Sequence, residues 1–132
     1  MKKIFLFLLI GCGLMVATSC TKQYNTVQPN QTLLADLTPS DWTTADTGKN
    51  FTAFIKTPQI NNFVNSEDGV LIYFTFDNGN SYEQIPEVYN NVSFTYTYAN
   101  GGINLYAQSA NGAQVITAPQ AFTAKIVLVD SN

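Results

Sequence analysis

The residue whose chemistry the sequence indicates most directly is Cys20. It ends a segment that starts with Lys2 and Lys3, continues as an uncharged apolar run over residues 4–16 and finishes with small residues over 17–19. These are the features of a secretory signal peptide, and the apolar run is shorter than the ~18 residues that cross a bilayer. We therefore predict that residues 1–19 are removed, which leaves Cys20 as the single sulfur nucleophile of an exported chain.

The residues before Cys20 resemble the lipobox of bacterial lipoproteins, in which the cysteine sulfur carries fatty chains such as palmitate and becomes the mature N-terminus. Ala17 departs from that pattern, which usually has leucine there. The resemblance implies a lipid anchor, and because each buried methylene contributes about 0.8 kcal/mol, two or three chains hold a protein on a membrane. The alternatives are a cleaved signal followed by a free thiol, or a Cys12–Cys20 disulfide, although Cys12 would leave with the leader.

The residues after Cys20 bear on location. Thr21 stands where an aspartate would, by resemblance to enteric lipoproteins, indicate retention at the inner membrane, so we expect the outer membrane of the cell envelope. Residues 21–25 lack the acidic cluster that some lipoproteins use for surface export, which leaves the periplasmic and external faces both open. Residues 21–29 are polar and lack periodicity, although Tyr24 and Val27 could begin a first strand. We therefore predict a lipid-anchored tether over residues 20–30 and a domain over residues 31–132.

Two carboxylate pairs have the residue types that hydrolyse glycosidic bonds, Glu83 with Glu87 and Asp41 with Asp46. All four residues lie in segments typical of turns, where a carboxylate is ordinarily solvated. A serine motif over residues 79–83 lacks the second glycine of a nucleophile elbow, and the chain has no histidine to act as its base. We therefore predict that the protein is not an enzyme and has no catalytic residue.

Metal ligands are equally sparse in the sequence. Zinc sites combine histidine, cysteine and carboxylate, and this chain has no histidine and only the anchor cysteine after processing. Oxygen ligands for calcium occur over residues 77–80 with Glu83, and at Glu67 and Asp68, but neither group follows the ligand order of an EF-hand. Since Asp and Asn beside Gly also build turns without an ion, we predict no metal or cofactor and leave calcium binding by a loop open.

Charge excludes nucleic acid as a partner. After processing the chain has four lysines, no arginine and no histidine against nine carboxylates, which leaves five net negative charges before the termini are counted. Phosphate backbones are bound by clustered Lys and Arg, which do not occur here. Low charge with abundant Asn, Gln and Thr is typical of an exported β-protein whose polar faces are made of amides and hydroxyls.

Alternation of apolar and polar residues predicts three half-buried strands. Their apolar faces are Leu33, Ala35 and Leu37 in residues 31–37; Phe51, Ala53 and Ile55 in 49–56; and Val92, Phe94, Tyr96 and Tyr98 in 92–98. Residues 70–76 are apolar on both faces, which predicts a central strand, and residues 122–129 are similar. Turn residues that adopt positive φ separate these runs: Gly48, Asp68-Gly69, Asn78-Gly79, Asn100-Gly101-Gly102 and Asn111-Gly112.

The spacing of these turns predicts an all-β fold. No run of ten residues has helical periodicity, so we expect a single antiparallel β-sandwich of Ig-like architecture with about seven to eight strands. At most one short helical turn is predicted, near residues 59–64. Trp42, the sole tryptophan, is predicted to fill the core between the sheets, with an exposed ligand platform as the alternative.

A set of core and turn positions is similar to that of the small β-sandwich lipoproteins of Bacteroides-type bacteria. The similarity covers residues 38–130 and rests on Trp42, Phe51, residues 58–60, 68–73, 84–86 and 94–98, Phe122 and residues 125–128. It includes no catalytic signature. The resemblance implies a fold and an envelope location but no site, since most of these proteins have no assigned activity.

Two binding functions remain from the sequence. The first is a lipid-anchored envelope protein that acts through protein contacts, by pairing at a sheet edge or by supporting a larger assembly. The alternative is a surface glycan-binding module, because a flat ring covers the apolar face of a sugar while amides bond its hydroxyls. Candidate rings are Tyr73, Tyr82, Tyr89, Tyr96 and Tyr106, with Tyr82 and Tyr89 as the predicted site, although strand tyrosines are more often half-buried.

Overall fold

The computed structural model describes residues 29–131, so the predicted signal peptide and Cys20 lie outside the described residues. Within this range the chain forms eight strands, one α-helix and one 3-10 turn. The strands are β1 (Gln31–Leu37), β2 (Asn50–Lys56), β3 (Gly69–Thr75), β4 (Glu83–Ile85), β5 (Glu87–Tyr89), β6 (Val92–Ala99), β7 (Gly102–Ser109) and β8 (Phe122–Val129). The 3-10 turn is Pro39–Asp41 and the helix, α1, is Asn62–Glu67.

The strands form two four-stranded sheets that pack face to face. The first sheet has the order β1-β8-β3-β4 and the second has the order β2-β7-β6-β5. Every neighbouring pair is antiparallel. This confirms the predicted all-β class and the antiparallel sandwich with seven to eight strands.

The predicted apolar faces lie between the two sheets. Phe51, Ala53 and Ile55 of β2 are buried, as is Phe94 of β6, while the residues between them, Phe54 included, point to the outer face. This arrangement follows from the two-residue period of a strand, which sends successive side chains to opposite faces. The two runs with apolar residues on both faces, β3 and β8, are central strands of the first sheet, as predicted.

Trp42 lies in this core with 6% of its surface exposed, which confirms its predicted position. The alternative prediction, that Trp42 forms an exposed platform for a ligand, is wrong. Its ring centroid is 6.4 Å from that of Phe94 and 6.2 Å from that of Phe122. The ring centroid of Phe74 in the first sheet lies 4.2 Å from that of Phe122 and 5.3 Å from that of Phe94 in the second sheet, so rings from both sheets form one cluster at this end of the sandwich. Tilted and edge-to-face contacts of this kind stabilise a core beyond the area they bury.

The chain crosses from the first sheet to the second between β4 and β5, at the cis peptide bond that precedes Pro86. A tight hairpin then joins β5 to β6 through Asn90 and Asn91, with φ angles of 47° and 66°. Positive φ at both central residues gives the backbone the twist that neighbouring strands need. The sequence reasoning did not assign this turn, although an Asn-Asn dipeptide tolerates the left-handed region.

Two local predictions are wrong. Helical structure occurs twice, and α1 begins at Asn62 because the Asn61 side chain accepts hydrogen bonds from the amides of Phe63 and Val64. The predicted turn at Asp68-Gly69 is not a hairpin, because Asp68 is the extended C-cap of α1 and Gly69 opens β3. Of the other predicted turns, Gly48, Asn78, Gly79, Gly101 and Gly112 adopt positive φ.

Candidate functional site

The candidate pair Asp41 and Asp46 is divided between two separate turns. Asp41 accepts hydrogen bonds from the backbone amide and the hydroxyl of Thr38, at 2.7 and 2.8 Å, and so closes the 3-10 turn. Asp46 accepts hydrogen bonds from the backbone amide of Asn50 at 2.9 Å, from the side-chain amide of Asn50, and from the backbone amide of Lys49 at 3.1 Å. These hydrogen bonds lower the pKa of Asp41 and lower that of Asp46 to about 2. Both carboxylates therefore order the backbone around them.

The candidate calcium loop uses its aspartate in the same way. Asp77 accepts hydrogen bonds from the hydroxyls of Thr75 and Ser81, at 2.7 and 2.6 Å, and from the Ser81 amide at 3.0 Å. These bonds, those from Ser81 first, lower the pKa of Asp77 to about 2. Among residues 29–131 no group of three or more His, Cys, Asp or Glu side chains has the arrangement of a metal site.

The structure does bring Glu83 and Glu87 together. Glu83 is the first residue of β4 and Glu87 is the first residue of β5, on either side of Pro86. The prediction that both lie in turns is therefore wrong. Burial of the Glu87 carboxyl, followed by a hydrogen bond to Glu83 and the charge of that neighbour, raises the pKa of Glu87 to about 7. Within residues 29–131, the buried Oε1 of Glu87 has no hydrogen-bond partner. The pair therefore holds a proton near neutral pH, as two adjacent carboxyl groups do.

Tyr82 and Tyr73 lie on the outer face of the first sheet, where both contact one lysine. The ammonium of Lys125 is 3.7 Å from the ring centroid of Tyr82 and 5.0 Å from that of Tyr73. Register places Tyr73 between Lys125 of β8 and Gln84 of β4. A cation at these distances is attracted to the ring face. The Lys125 ammonium therefore already contacts the Tyr82 ring, where a sugar would have to bind.

Tyr89 occupies a different place, at one end of the sandwich. Its ring stacks on Phe76 with the centroids 4.4 Å apart and an interplanar angle of 12°. The stacked pair lines a cavity of about 280 Å³ together with Phe94 and Pro119. Tyr82 and Tyr89 thus lie in separate environments, and glycan binding by either of them stays a prediction.

Tyr96 and Tyr106 point to opposite faces of the second sheet. Tyr96 is half-buried between the sheets, where its hydroxyl donates a 2.7 Å hydrogen bond to the carbonyl of Val70. Tyr106 is on the outer face, with its hydroxyl 3.1 Å from that of Thr97. The five candidate tyrosines therefore do not form one surface.

The outer face of the second sheet carries a group of residues that sequence reasoning missed. We call it the amide-aromatic face, and it consists of Thr52, Phe54, Ser93, Thr95, Thr97, Asn104, Tyr106 and Gln108. Phe54 is 61% exposed and Tyr106 is 36% exposed. The signal for Phe54 is present in the sequence, because burial of its neighbours Ala53 and Ile55 sends its ring to solvent.

A groove of about 490 Å³ lies at the end of the sandwich opposite Tyr89, beside α1. Pro29, Phe63 and Leu128 line it together with polar residues. Phe63 is 54% exposed. The described chain begins at this groove, where Asn30 accepts a hydrogen bond from the Asp130 amide at 3.2 Å. Over residues 29–131, no helix has the length and apolarity required to cross a bilayer.

Comparison of the chain with protein-family models gives no match, and comparisons with curated proteins and with solved structures give none either.

Proposed function

We propose that the chain is a lipid-anchored protein of the bacterial cell envelope, in which fatty chains on Cys20 hold a binding domain at the outer membrane. The basic, apolar and small residues that precede Cys20 carry this proposal. The sandwich starts with β1 at Gln31, so about ten residues separate the anchor from the first strand. A tether of this length lets a folded domain reach partners beside the membrane.

The domain works through surface contacts in this proposal. Three aspartates that could have supported chemistry, at positions 41, 46 and 77, hold turns by accepting backbone or hydroxyl hydrogen bonds. By contrast, the amide-aromatic face presents rings, amides and hydroxyls to solvent. Exposed rings beside polar groups are typical of binding surfaces.

Mass spectrometry of the full chain, produced in a bacterial host, tests the anchor. We expect a mature protein that begins with Cys20 and carries the added mass of two or three fatty chains. Cys20→Ser should yield an unacylated chain that leaves the membrane fraction. Cys12→Ser is the matched control, because Cys12 is removed with the leader and its substitution should leave acylation intact. An uncut leader, or a bare sulfur at Cys20, would refute the proposal.

Binding of a protein partner at a sheet edge is a second candidate function for the domain, because β1 forms one edge of the first sheet. Its only neighbour among the described strands is β8, and Leu34 on its outer face is 64% exposed. An edge strand offers unpaired backbone groups to which an extended segment of another protein can add. Crosslinking from position 34 in intact cells would test this role, and Leu34→Lys should reduce the crosslinked product if β1 is the contact.

A further inference from the structure

The two exposed rings of the amide-aromatic face lie beside Asn104. Strand register places Phe54 of β2, Asn104 of β7 and Thr97 of β6 in one row across the sheet. The Phe54 ring leans over Gly102, where an added Cβ would lie 2.4 Å from its Cζ atom. The Tyr106 hydroxyl reaches Thr97 on the other side of the row. Asn104 is therefore flanked by an aromatic ring on each side.

Glycine is what allows the Phe54 ring to lie close to the sheet. A side chain at position 102 would also meet the Ile55 carbonyl oxygen, at 2.6 Å from its Cβ, so no other residue fits without a shift of the backbone. The outer end of the ring, at Cζ and Cε2, lies over Gly102, and 61% of the side chain remains open to solvent. A large exposed ring of this kind gains free energy when an apolar surface covers it.

The polar groups around the rings have unused hydrogen-bonding capacity. Across residues 29–131, the side-chain amides of Asn104 and Gln108 and the hydroxyls of Thr52, Thr95 and Ser93 make no hydrogen bond to another protein group. Each amide offers two donor hydrogens and one acceptor oxygen, and each hydroxyl can donate and accept. This is the bonding pattern that a sugar hydroxyl complements, since it too both donates and accepts.

The lack of charged side chains at the centre of the amide-aromatic face favours an uncharged ligand. At the outward-facing positions of residues 50–54, 93–97 and 104–108 the one ionisable side chain is the Tyr106 phenol, because Tyr96 points between the sheets. Lys56 lies at the margin beside Gly102. A phosphate, a uronic acid or an acidic peptide would find no cation at the centre of this surface. An uncharged ligand with alternating apolar patches and hydroxyls complements it.

We propose that the amide-aromatic face binds a neutral polysaccharide, whose sugar rings cover Phe54 and Tyr106 while Asn104 and Gln108 bond the sugar hydroxyls. This inference rests on the proposed function of the domain as a surface-binding module. An open sheet face suits an extended chain rather than one small sugar, because small ligands are bound in concave sites that enclose them. The binding residues come from β2, β6 and β7, and not from Tyr82 or Tyr89.

Affinity electrophoresis of the full chain tests this inference. The protein is extracted in a detergent without a sugar headgroup and run in native gels that contain starch, mixed-linkage β-glucan, xylan or galactomannan. At least one of these neutral polysaccharides should retard the protein, and added salt should leave the retardation in place because the contacts are uncharged. Polygalacturonate is the charged probe and should not retard it.

Substitutions then locate the surface. Asn104→Ala and Tyr106→Ala should each weaken the apparent affinity about tenfold or more, as removal of a central contact does. Phe54→Leu should act in the same direction and keeps an apolar group over Gly102. Phe63→Ala is the matched control, since Phe63 is a comparably exposed ring on α1, and it should bind like the unaltered chain. Circular dichroism of each variant confirms that it is folded.

Failure of this inference is distinct from failure of the anchor. The inference is overturned if none of the four neutral polysaccharides retards the protein, if only polygalacturonate does, or if folded Asn104→Ala and Tyr106→Ala bind normally. Binding that is lost in Tyr82→Ala or Tyr89→Ala but kept in those two variants also overturns it. Mass spectrometry of the same preparation reports on Cys20, so a bare sulfur refutes the anchor without affecting the binding result.

Discussion

The hydroxyl of Tyr96 donates a hydrogen bond to the backbone carbonyl of Val70, 2.7 Å away, and so joins the two sheets of the sandwich. Tyr96 belongs to β6 in the second sheet and Val70 to β3 in the first. Burial raises the pKa of the Tyr96 phenol, with smaller contributions from Tyr98 and Tyr73, so the group remains a donor at physiological pH. A polar contact between two largely apolar faces fixes how the sheets are placed relative to each other.

Tyr96→Phe should therefore lower the free energy of unfolding by about 1–2 kcal/mol, since it removes a half-buried hydrogen bond and leaves the Val70 carbonyl without this donor. Urea unfolding followed by circular dichroism measures the change. Tyr98→Phe is the matched control, because Tyr98 lies on the same face of β6 and its hydroxyl makes no hydrogen bond within residues 29–131. It should change stability by less than about 0.5 kcal/mol. Equal losses in the two variants would contradict the special role of Tyr96.

Trp42 gives a second prediction about stability. Trp42→Ala should destabilise the domain by about 3–5 kcal/mol, because it leaves a cavity among Phe94, Phe122 and their neighbours. Trp42→Phe should cost less, since it keeps a ring and removes an indole N–H that is buried without a partner among residues 29–131. Thermal unfolding followed by far-ultraviolet circular dichroism ranks the three proteins. A Trp42→Ala variant as stable as the parent would place Trp42 outside the core.

The regular strands were predictable because their burial follows a simple period. Alternation over residues 31–37, 49–56 and 92–98 matches β1, β2 and β6 to within about one residue. The strands β4 and β5 have three residues each, which is too short for any period to show. Pro86 lies between them, and only the folded structure shows that the chain changes sheets there.

The candidate binding residues were harder to predict, because their positions depend on strand pairing and on where the chain changes sheets. Tyr82 and Tyr89 are seven residues apart, yet they lie on either side of the crossing at Pro86 and reach different surfaces. Phe54 could have been placed on an outer face from alternation alone. Its position beside Asn104 depends on the register between β2 and β7, and no local pattern encodes the pairing of strands that are fifty residues apart.

The turns around Asp46 and Asp77 share one sequence pattern, Thr-x-Asp-x-Gly, and one hydrogen-bond network. In each turn the threonine hydroxyl donates to the aspartate Oδ1 and accepts the glycine amide, for example with Thr75 bonded to Asp77 at 2.7 Å and to Gly79 at 2.9 Å. Positive φ angles at Asn78 and Gly79 close the turn. The threonine thus links the aspartate to the glycine in each turn, beside the hydrogen bonds that Asn50 and Ser81 donate to the carboxylates, and the pattern can be recognised in a sequence.

These turns make stability depend on acid pH. Hydrogen bonds to the carboxylates lower the pKa values of Asp46 and Asp77 to about 2, below the value near 3.9 of the unfolded chain. Their contribution is therefore present above about pH 4 and is lost as the pH falls toward 2. The double variant Asp46→Asn, Asp77→Asn should melt at a lower temperature at neutral pH and lose less stability on acidification.

Differential scanning calorimetry between about pH 2 and pH 7 measures this dependence. Glu67→Gln is the control, because the Glu67 carboxylate accepts no hydrogen bond among the described residues. The stability of Glu67→Gln should fall with decreasing pH in the same way as that of the parent protein. A double Asp variant with the parent's slope would show that these carboxylates do not order the turns.

Glu87 should make the stability of the protein fall as the pH rises, which is the opposite of the effect of Asp46 and Asp77. Its pKa of about 7 in the folded protein exceeds the unfolded value near 4.3, so the protonated carboxyl favours folding. This contribution is complete below about pH 4 and is lost as the pH rises through 7. Glu87→Gln keeps the neutral shape, so it should match the parent at about pH 5 and exceed its stability at about pH 8 by about 1 kcal/mol, since solvent screening at the sheet edge reduces the effect.

Glu83→Gln separates the effect of burial on the raised pKa of Glu87 from the effect of the neighbouring charge. Burial is the larger cause and persists in this variant, whereas the charge of Glu83 is removed. The pH dependence of unfolding should therefore shrink in Glu83→Gln without disappearing, and it should disappear in Glu87→Gln. Urea unfolding of the parent and both variants at about pH 5 and pH 8 gives the comparison. If the parent and Glu87→Gln differ equally at the two pH values, the carboxyl of Glu87 does not hold a proton near neutrality.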